Sequence, residues 1–154
     1  MKRLLLWLGI PLLAWYISSN WYQLMLIQGE SMAPSYHHLQ LVLLNKYDRN
    51  FQQGDVAAFW CEDLSCILVK RIAALPEDSV IVREGTLYVN EQISEVYAEP
   101  GLFSYAGILE NEIILGPREY ILLGDNTEES KDSRYWEVGI VSEANIVGKI
   151  CTIK

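Results

Sequence analysis

The sequence predicts a mainly β protein built from antiparallel sheets, compact and preceded by one N-terminal transmembrane helix. Residues 4–27 are almost entirely apolar and carry no charge. After residue 35, short runs rich in β-branched and apolar residues alternate with turn residues, a pattern typical of strands. No segment there shows amphipathic-helix periodicity over ten or more residues. A chain of 154 residues is long enough for one globular domain with a core and too short for two.

The N-terminal segment predicts a membrane anchor. Residues 4–27 are long enough to cross about 30 Å of hydrocarbon as a helix. Lys2 and Arg3 precede this segment, so the positive-inside rule places residues 1–3 in the cytoplasm and residues 28–154 outside it. We therefore expect a single-pass anchor in contact with the lipid bilayer.

Two alternatives to a helix over the whole of 4–27 remain open. The segment could be a cleavable secretory signal, although its far end has no small-x-small cleavage site. The polar residues at 18–20 also allow the helix to end near Tyr16. In that case residues 21–27 would lie on the membrane surface or start a strand.

The remainder of the chain is divided into predicted strands and loops. Arg83-Glu84-Gly85 indicates a hairpin turn, and Pro100-Gly101 marks residues 95–111 as a loop or an insertion. The predicted strands are 39–44, 56–60, 66–74, 80–82, 86–89, 119–123 and 144–152.

Charge and cysteine content exclude several functions. The net charge is −8, and the chain beyond Lys2 and Arg3 carries about −10, which disfavours nucleic acid as a partner. Cys61, Cys66 and Cys151 lack the paired spacing or histidine partners of a zinc site, so no metal site is expected. If the polar residues 62–65 form a hairpin loop, a Cys61–Cys66 disulfide is a hypothesis.

The motif Gly-Glu-Ser-Met-Ala-Pro at 29–34 contains a candidate nucleophile, Ser31. A serine between glycine and proline is ordinarily part of a turn. Its position is informative, because an extended chain places Ser31 only about 13 Å beyond Ile27. An active nucleophile there would act on substrates held at the membrane surface.

A nucleophilic serine needs a base, and His37 and His38 are poor candidates. They follow Ser31 so closely in the chain that a Ser-His-Asp triad is hard to assemble. Two neighbouring histidines in a polar segment are more typical of a solvated loop.

Lys70 is the better candidate base. If it shares a strand face with Leu68 and Ile72, desolvation lowers its pKa and provides neutral amine near neutral pH. The alternative is a lysine at a sheet edge with its ammonium in water. Strand periodicity alone does not say whether Lys70 or Arg71 faces inward.

A third motif, residues 124–136, begins with Gly-Asp-Asn and follows the predicted strand 119–123. Asp132 and Arg134 would lie on one face if this segment is extended. A segment this polar is ordinarily a solvated loop.

Taken together and in this order, the motifs resemble those of type I signal peptidases, the serine–lysine leader peptidase family. The similarity runs over essentially the whole chain. The matching segments are 29–34, 54–59, 69–78, 85–90 and 124–134, followed by Gly139, Val141 and 146–148.

The resemblance implies a role for each matching residue. Ser31 would be the nucleophile that forms an acyl-enzyme, and Lys70 its general base. Ser130 stands where the family has a serine hydrogen-bonded to the lysine amine. Asp132 and Arg134 match a pair that supports the site structurally. The family uses neither a metal nor a cofactor, so none is expected here.

The resemblance also implies how substrate is bound. The N–H of Ser31 would be one oxyanion donor, and Gly29 replaces a hydroxyl donor that some members have. Substrates would be signal peptides of exported preproteins, with small residues at positions −1 and −3, bound as an added strand. Tyr36 stands where many members have leucine, which could shift that preference. The matching substrate-binding residues are Ile27, Gly29, Met32, Tyr36, Leu68 and Val69.

The expectation is a serine endopeptidase of the bacterial cell membrane, with its catalytic domain outside the cytoplasm and in reach of the secretion machinery. Departures from the family pattern, Glu77, Glu91 and Thr127, bear on rate or substrate range. One alternative is a non-catalytic relative that assists assembly of a surface structure such as a pilus. Another is a self-cleaving regulator, although that class normally carries a DNA-binding module.

Overall fold

The computed structural model describes Tyr16 and residues 21–151, and its described part is mainly β, as predicted. Short 3-10 turns occur at Gly107–Glu110 and Glu143–Asn145. The strands are β1 (Tyr22–Leu26), β2 (Leu41–Asn45), β3 (Val56–Cys61), β4 (Cys66–Ala74), β5 (Ser79–Arg83), β6 (Thr86–Val89), β7 (Gln92–Ile93), β8 (Ile113–Ile114), β9 (Glu119–Leu123), β10 (Val141–Ser142) and β11 (Ile146–Cys151).

The larger sheet has the strand order β1-β2-β11-β3-β4-β9-β10, with antiparallel pairing throughout. Its centre is the β3–β4 hairpin, in which Val56 pairs with Arg71 at one end and Cys61 with Cys66 at the other. The polar residues 62–65 form the connecting turn, because they have no apolar side chain pattern to bury and Ser65 adopts a positive φ.

Strand β4 has a different set of neighbours along its length. It pairs with β9 only from Arg71 onward, where Arg71 is opposite Leu123 and Ile72 is opposite Leu122. Residues 66–70 pair with β3 on one side and have no strand beside them on the other within the described chain. The larger sheet therefore has an open edge that ends at Lys70.

The smaller sheet has the order β7-β6-β5-β8 and packs against the end of β4 and against β9. Val80, Leu87 and Leu109 are fully buried there beside Ala73 and Leu123. Each buried leucine or valine contributes about 1.5–3 kcal/mol of transfer free energy. This cluster fixes the position of the chain at the end of β9, just before residue 124.

A second apolar cluster packs on strands β2, β3 and β11 of the larger sheet. Val42 and Leu44 of β2 pack with Val56 and Ala58 of β3, and residues 27–36 cover them. Because the cluster includes buried side chains on both sides of Ser31, the segment after β1 is held against the sheet rather than left in solvent.

Two expectations from the N-terminal region have different outcomes. Residues 22–26 form β1, so of the alternatives for 21–27 the structure has the strand. Residues 4–15 and 17–20 of the predicted anchor lie outside the described residues. Among those that are described, none belongs to a helix long and apolar enough to cross a membrane.

The hypothesised Cys61–Cys66 disulfide is not formed. The two residues are direct cross-strand partners, yet both are free thiols. The Sγ–H of Cys61 instead donates to the carbonyl of Glu137 at 3.3 Å. The hairpin is therefore closed by backbone pairing and packing.

Candidate active site

Ser31 and Lys70, far apart in the chain, meet at the end of the open edge of β4. The Nζ of Lys70 lies 2.6 Å from the Oγ of Ser31, within hydrogen-bond distance. Nζ also donates to the carbonyl of Val69 at 3.2 Å. The lysine side chain is buried, with an exposed fraction of 3%.

Burial gives Lys70 the property that a base requires. Desolvation lowers its pKa from 10.5 to about 8, even though the nearby carboxylates of Asp132 and Asp125 act in the opposite direction. The ammonium is disfavoured because the surroundings exclude water. A substantial fraction of neutral amine is therefore present at mildly alkaline pH.

The backbone around Ser31 is fixed from both sides. Before it, the N–H of Ile27 donates to the carbonyl of Gln40, and the N–H of Leu39 donates to the carbonyl of Ile27. Gly29 then turns the chain with a φ of +89°, in the left-handed region that glycine adopts without strain. After it, the N–H of Asn126 donates to the carbonyl of Ser31 at 3.1 Å.

Strand alternation explains how adjacent residues of β4 have different partners. Lys70 points toward Ser31, whereas the guanidinium of Arg71 donates to both carboxylate oxygens of Asp125 and to the carbonyl of Gly54. The paired Asp125 lies in the turn after β9, so this ion pair connects β4 to that turn. The sequence left open whether Lys70 or Arg71 faces inward. Lys70 is the buried residue that contacts Ser31, whereas Arg71 pairs with Asp125.

Arg71 and Asp125 were missed as site residues. The available signal was the Gly-Asp-Asn turn following one strand and a Lys-Arg pair in another. Pairing the two requires the β4–β9 register, which residue patterns do not give.

Asp132 and Arg134 form a fully buried ion pair within the segment 124–134, which turns the chain after β9. The Nε of Arg134 donates to Asp132 at 2.8 Å, and a second guanidinium nitrogen donates to the other carboxylate oxygen at 2.9 Å. The same carboxylate accepts the N–H of Gly124 at 3.0 Å. Arg134 also donates to the carbonyl of Thr127 at 2.7 Å and lies over the ring of Phe103. These contacts hold the turn that follows β9 in a single conformation.

Ser130 belongs to this turn, but its expected hydrogen bond to Lys70 is not present. Its Oγ is buried and has no hydrogen-bond partner among the described residues. Ser130 packs directly on Gly124, where an added Cβ would lie 2.1 Å from the Ser130 Oγ. Glycine is therefore required at position 124 for Ser130 to occupy its place.

The predicted substrate-binding residues fall into two groups. Leu68 and Val69 are half-buried on the open edge of β4, and Gly29 is exposed a few residues beyond the end of β1. Ile27, Met32 and Tyr36 are buried in one cluster on the larger sheet, against which Val69 also packs. The first group is therefore accessible from solvent, and the second is part of the core.

Possible metal ligands do not converge in the described part of the chain. Residues 21–151 contain no group of three or more His, Cys, Asp or Glu side chains positioned to hold an ion.

Comparison with known proteins identifies the family. Residues 1–153 match the signal peptidase family, peptidase S26. This chain belongs to the signal peptidases. As a member of that family it is a serine endopeptidase, and its recognised motifs lie in the order that the family has.

Individual relatives agree with this assignment. The chain is 31% identical over 153 residues to signal peptidase I U of Bacillus subtilis strain 168, covering 90% of this chain and 79% of the relative. It is 30% identical over 133 residues to signal peptidase I P of Bacillus subtilis subsp. natto, covering 80% of this chain and 71% of the relative.

A solved structure has the same fold. The crystal structure of a signal peptidase I from Enterococcus faecalis V583 superposes with a TM-score of 0.53 at 24% identity. The match covers 66% of this chain and 97% of the other. The β architecture described above is thus shared with that signal peptidase I.

Proposed function

We propose that this protein is a membrane-bound endopeptidase that removes signal peptides from exported preproteins, with Ser31 as nucleophile and Lys70 as general base. The observation that carries the proposal is the 2.6 Å contact between the Ser31 Oγ and a buried lysine amine. A lysine whose pKa is lowered to about 8 has a far larger neutral fraction near neutral pH than an exposed lysine has, and only the neutral amine can accept the serine proton.

The reaction follows from these positions. The neutral Nζ of Lys70 takes the hydroxyl proton as the Ser31 Oγ attacks the carbonyl carbon of the −1 residue. The resulting oxyanion accepts the N–H of Ser31, which donates to no acceptor among residues 21–151. The lysine ammonium then protonates the departing amine, and the acyl ester forms. Lys70 next deprotonates a water molecule, which hydrolyses the ester and releases the signal peptide.

The open edge of β4 is where the signal peptide would bind. Residues 66–70 carry backbone groups that no described strand pairs, so an extended peptide can form main-chain hydrogen bonds there. Leu68, Val69 and Gly29 would border its side chains along a strip that we call the groove. The small residues expected at −1 and −3 follow from the resemblance to the family.

The supporting residues act by holding the turn after β9. The Asp132–Arg134 pair fixes the backbone of Gly124, and the N–H of Asn126 in turn fixes the carbonyl of Ser31. We assign these two charged residues a structural role. Ser130 belongs to the same turn and packs directly on Gly124, so we assign it a structural role as well.

The location follows from the N-terminal composition. The uncharged stretch that precedes β1 would anchor the enzyme in the bacterial cell membrane, with Lys2 and Arg3 on the cytoplasmic side. The catalytic domain would then lie outside the cytoplasm, in contact with the lipid bilayer and in reach of the secretion machinery. Its substrates would be presented at the membrane surface.

The proposal is tested with purified full-length protein in detergent and a preprotein that has alanine at positions −1 and −3. We expect one cut after the −1 residue, identified by mass spectrometry of both products. A matched preprotein with tryptophan at −1 should remain uncut, because the resemblance to the family implies a small residue at that position. Binding of the preprotein without turnover would favour the non-catalytic assembly factor instead.

The pKa of Lys70 sets the expected pH dependence. Because the neutral amine is the active form, kcat/KM should rise about tenfold per pH unit on the acid side and level off above about pH 8. The measurement is kcat/KM for the alanine preprotein from about pH 6 to about pH 10, with circular dichroism at each pH as a control for folding. A profile that is flat through pH 8 would contradict Lys70 as the base.

A further inference from the structure

His37 and His38 are exposed in the turn before β2, as the sequence suggested, and His38 makes one contact with the segment that leads to the nucleophile. The N–H of Gly29 donates to the Nδ1 of His38 at 3.0 Å. The Nδ1 of His37 lies 4.0 Å from a carboxylate oxygen of Glu30, with both side chains well exposed. Both contacts are at the surface, but only the first is within hydrogen-bond distance.

The hydrogen bond from Gly29 fixes a particular stretch of chain, residues 28–31, which we call the nucleophile loop. Ile27 is the last residue before it that is held by backbone bonds, to Gln40 and Leu39. At Gly29 the chain turns with a φ of +89°, and no described backbone carbonyl accepts its N–H. The imidazole of His38 takes the place of that acceptor. Within the described chain, this is the one side-chain hydrogen bond to the nucleophile loop before Ser31.

The placement of Ser31 depends on the orientation of the preceding peptide units. A peptide plane that rotates at Gly29 moves the Oγ and the N–H of Ser31 together, because only Glu30 separates them. Both groups are used in the proposed reaction, as nucleophile and as oxyanion donor. A misplacement of about 1 Å at such groups can lower the rate by on the order of 10²-fold.

We propose that His38 is a positioning residue for Ser31, acting through the hydrogen bond that its unprotonated Nδ1 accepts from Gly29. The inference rests on the proposed function, since it concerns the rate of the same reaction. Among the described residues, no hydrogen bond joins His38 to Ser31 or to residues 66–70 of β4. His38 therefore acts on the position of Ser31 and not by contact with the substrate. Loss of the bond should therefore lower kcat and leave KM nearly unchanged.

Two substitutions at position 38 separate the hydrogen bond from the rest of the side chain. His38→Ala removes the acceptor. His38→Asn replaces it, because the Oδ1 of asparagine is bonded to Cγ as the Nδ1 of histidine is. His37→Ala is the matched control, since it removes a neighbouring imidazole of equal size that makes no hydrogen bond to the loop backbone. Ser31→Ala reports on the proposed function itself.

The experiment measures kcat and KM of these full-length variants with the alanine preprotein, after thermal unfolding has shown that each is folded. We expect His38→Ala to lower kcat by about fivefold to tenfold, the worth of one neutral hydrogen bond, with KM within about twofold of wild type. His38→Asn should recover kcat to within about twofold of wild type, and His37→Ala should match wild type.

Several outcomes would overturn the inference while leaving the proposed function intact. If wild type cleaves and Ser31→Ala does not, a wild-type kcat in His38→Ala refutes positioning by His38. Equal losses in His38→Ala and His38→Asn refute the hydrogen bond as its means. If Ser31→Ala retains full activity, the proposed function fails instead, and the two failures are distinguished.

Discussion

Ser31→Ala and Lys70→Ala are each expected to lower kcat/KM for a preprotein by at least about 10³-fold. The first removes the atom that forms the acyl bond. The second removes the buried amine that lies 2.6 Å from that atom, and no other titratable side chain is within hydrogen-bond distance of the Ser31 Oγ in the described chain. Cleavage is measured by gel or mass spectrometry at pH 8, where the wild-type lysine is about half deprotonated.

A lysine in the same motif as the supporting residues provides the control for Lys70. Lys131 is half-exposed and pairs with Glu137 at 3.0 Å on the surface. Lys131→Ala should retain wild-type cleavage, because surface pairs contribute little and this one does not face Ser31. The double variant Ser31→Ala/Lys70→Ala should be no less active than either single variant, since the two act as one unit. Substantial cleavage by either single variant would refute the assigned mechanism.

Breaking the Asp132–Arg134 pair is expected to have the largest effect on stability. Arg134→Ala should lower the free energy of unfolding by about 3–5 kcal/mol, because it leaves the Asp132 carboxylate buried without its cation. Both side chains are almost fully inaccessible to solvent, so water does not compensate for the loss. The carbonyl of Thr127 loses its donor as well. The measurement is urea unfolding followed by tryptophan fluorescence.

The comparison with Lys131→Ala distinguishes the effect of breaking a buried ion pair from the effect of removing a positive charge. That variant also removes one cation from an ion pair, but from an exposed one, and its urea midpoint should equal that of wild type. Arg134→Lys should fall between wild type and Arg134→Ala, since it keeps the charge and loses the paired geometry of the guanidinium. A wild-type midpoint in Arg134→Ala would show that the buried pair does not stabilise the fold.

Much of the fold could be predicted because local patterns and tertiary structure agree. The strand β9 has the predicted bounds, and the polar insert at 62–65 forms the turn of the β3–β4 hairpin. The segment 95–111 contains only a short 3-10 turn, as its weak periodicity indicated. In these places side-chain alternation and turn chemistry decide the structure within a few residues.

β1 could not be separated from the apolar segment before it. Residues 22–26 satisfy both a membrane helix and a strand on composition alone. Their pairing with β2, from Tyr22 opposite Asn45 to Leu26 opposite Leu41, decides between them. That pairing joins residues that are 15 to 23 positions apart in the chain, which no local pattern encodes.

The site was predictable in its residues and not in its geometry. Ser31 and Lys70 were selected by motif resemblance, but their contact depends on how the segment after β1 packs on the larger sheet. The direction of Lys70 and the pairing of Arg71 with Asp125 follow from strand register. His38 lies in an exposed turn, as predicted, but its hydrogen bond from Gly29 could not be predicted, because an imidazole that accepts a backbone N–H has no signature in sequence.

The open edge of β4 has a consequence for how the protein behaves in concentrated solution. Unpaired strand edges are the usual starting points for edge-to-edge aggregation, and proteins ordinarily shorten, cover or charge them. Here the edge cannot be covered without blocking the groove, so it is limited in length to residues 66–70 and bounded at one end by the acidic turn residues Glu62 and Asp63. Solubility and substrate access thus impose opposite demands on the same five residues.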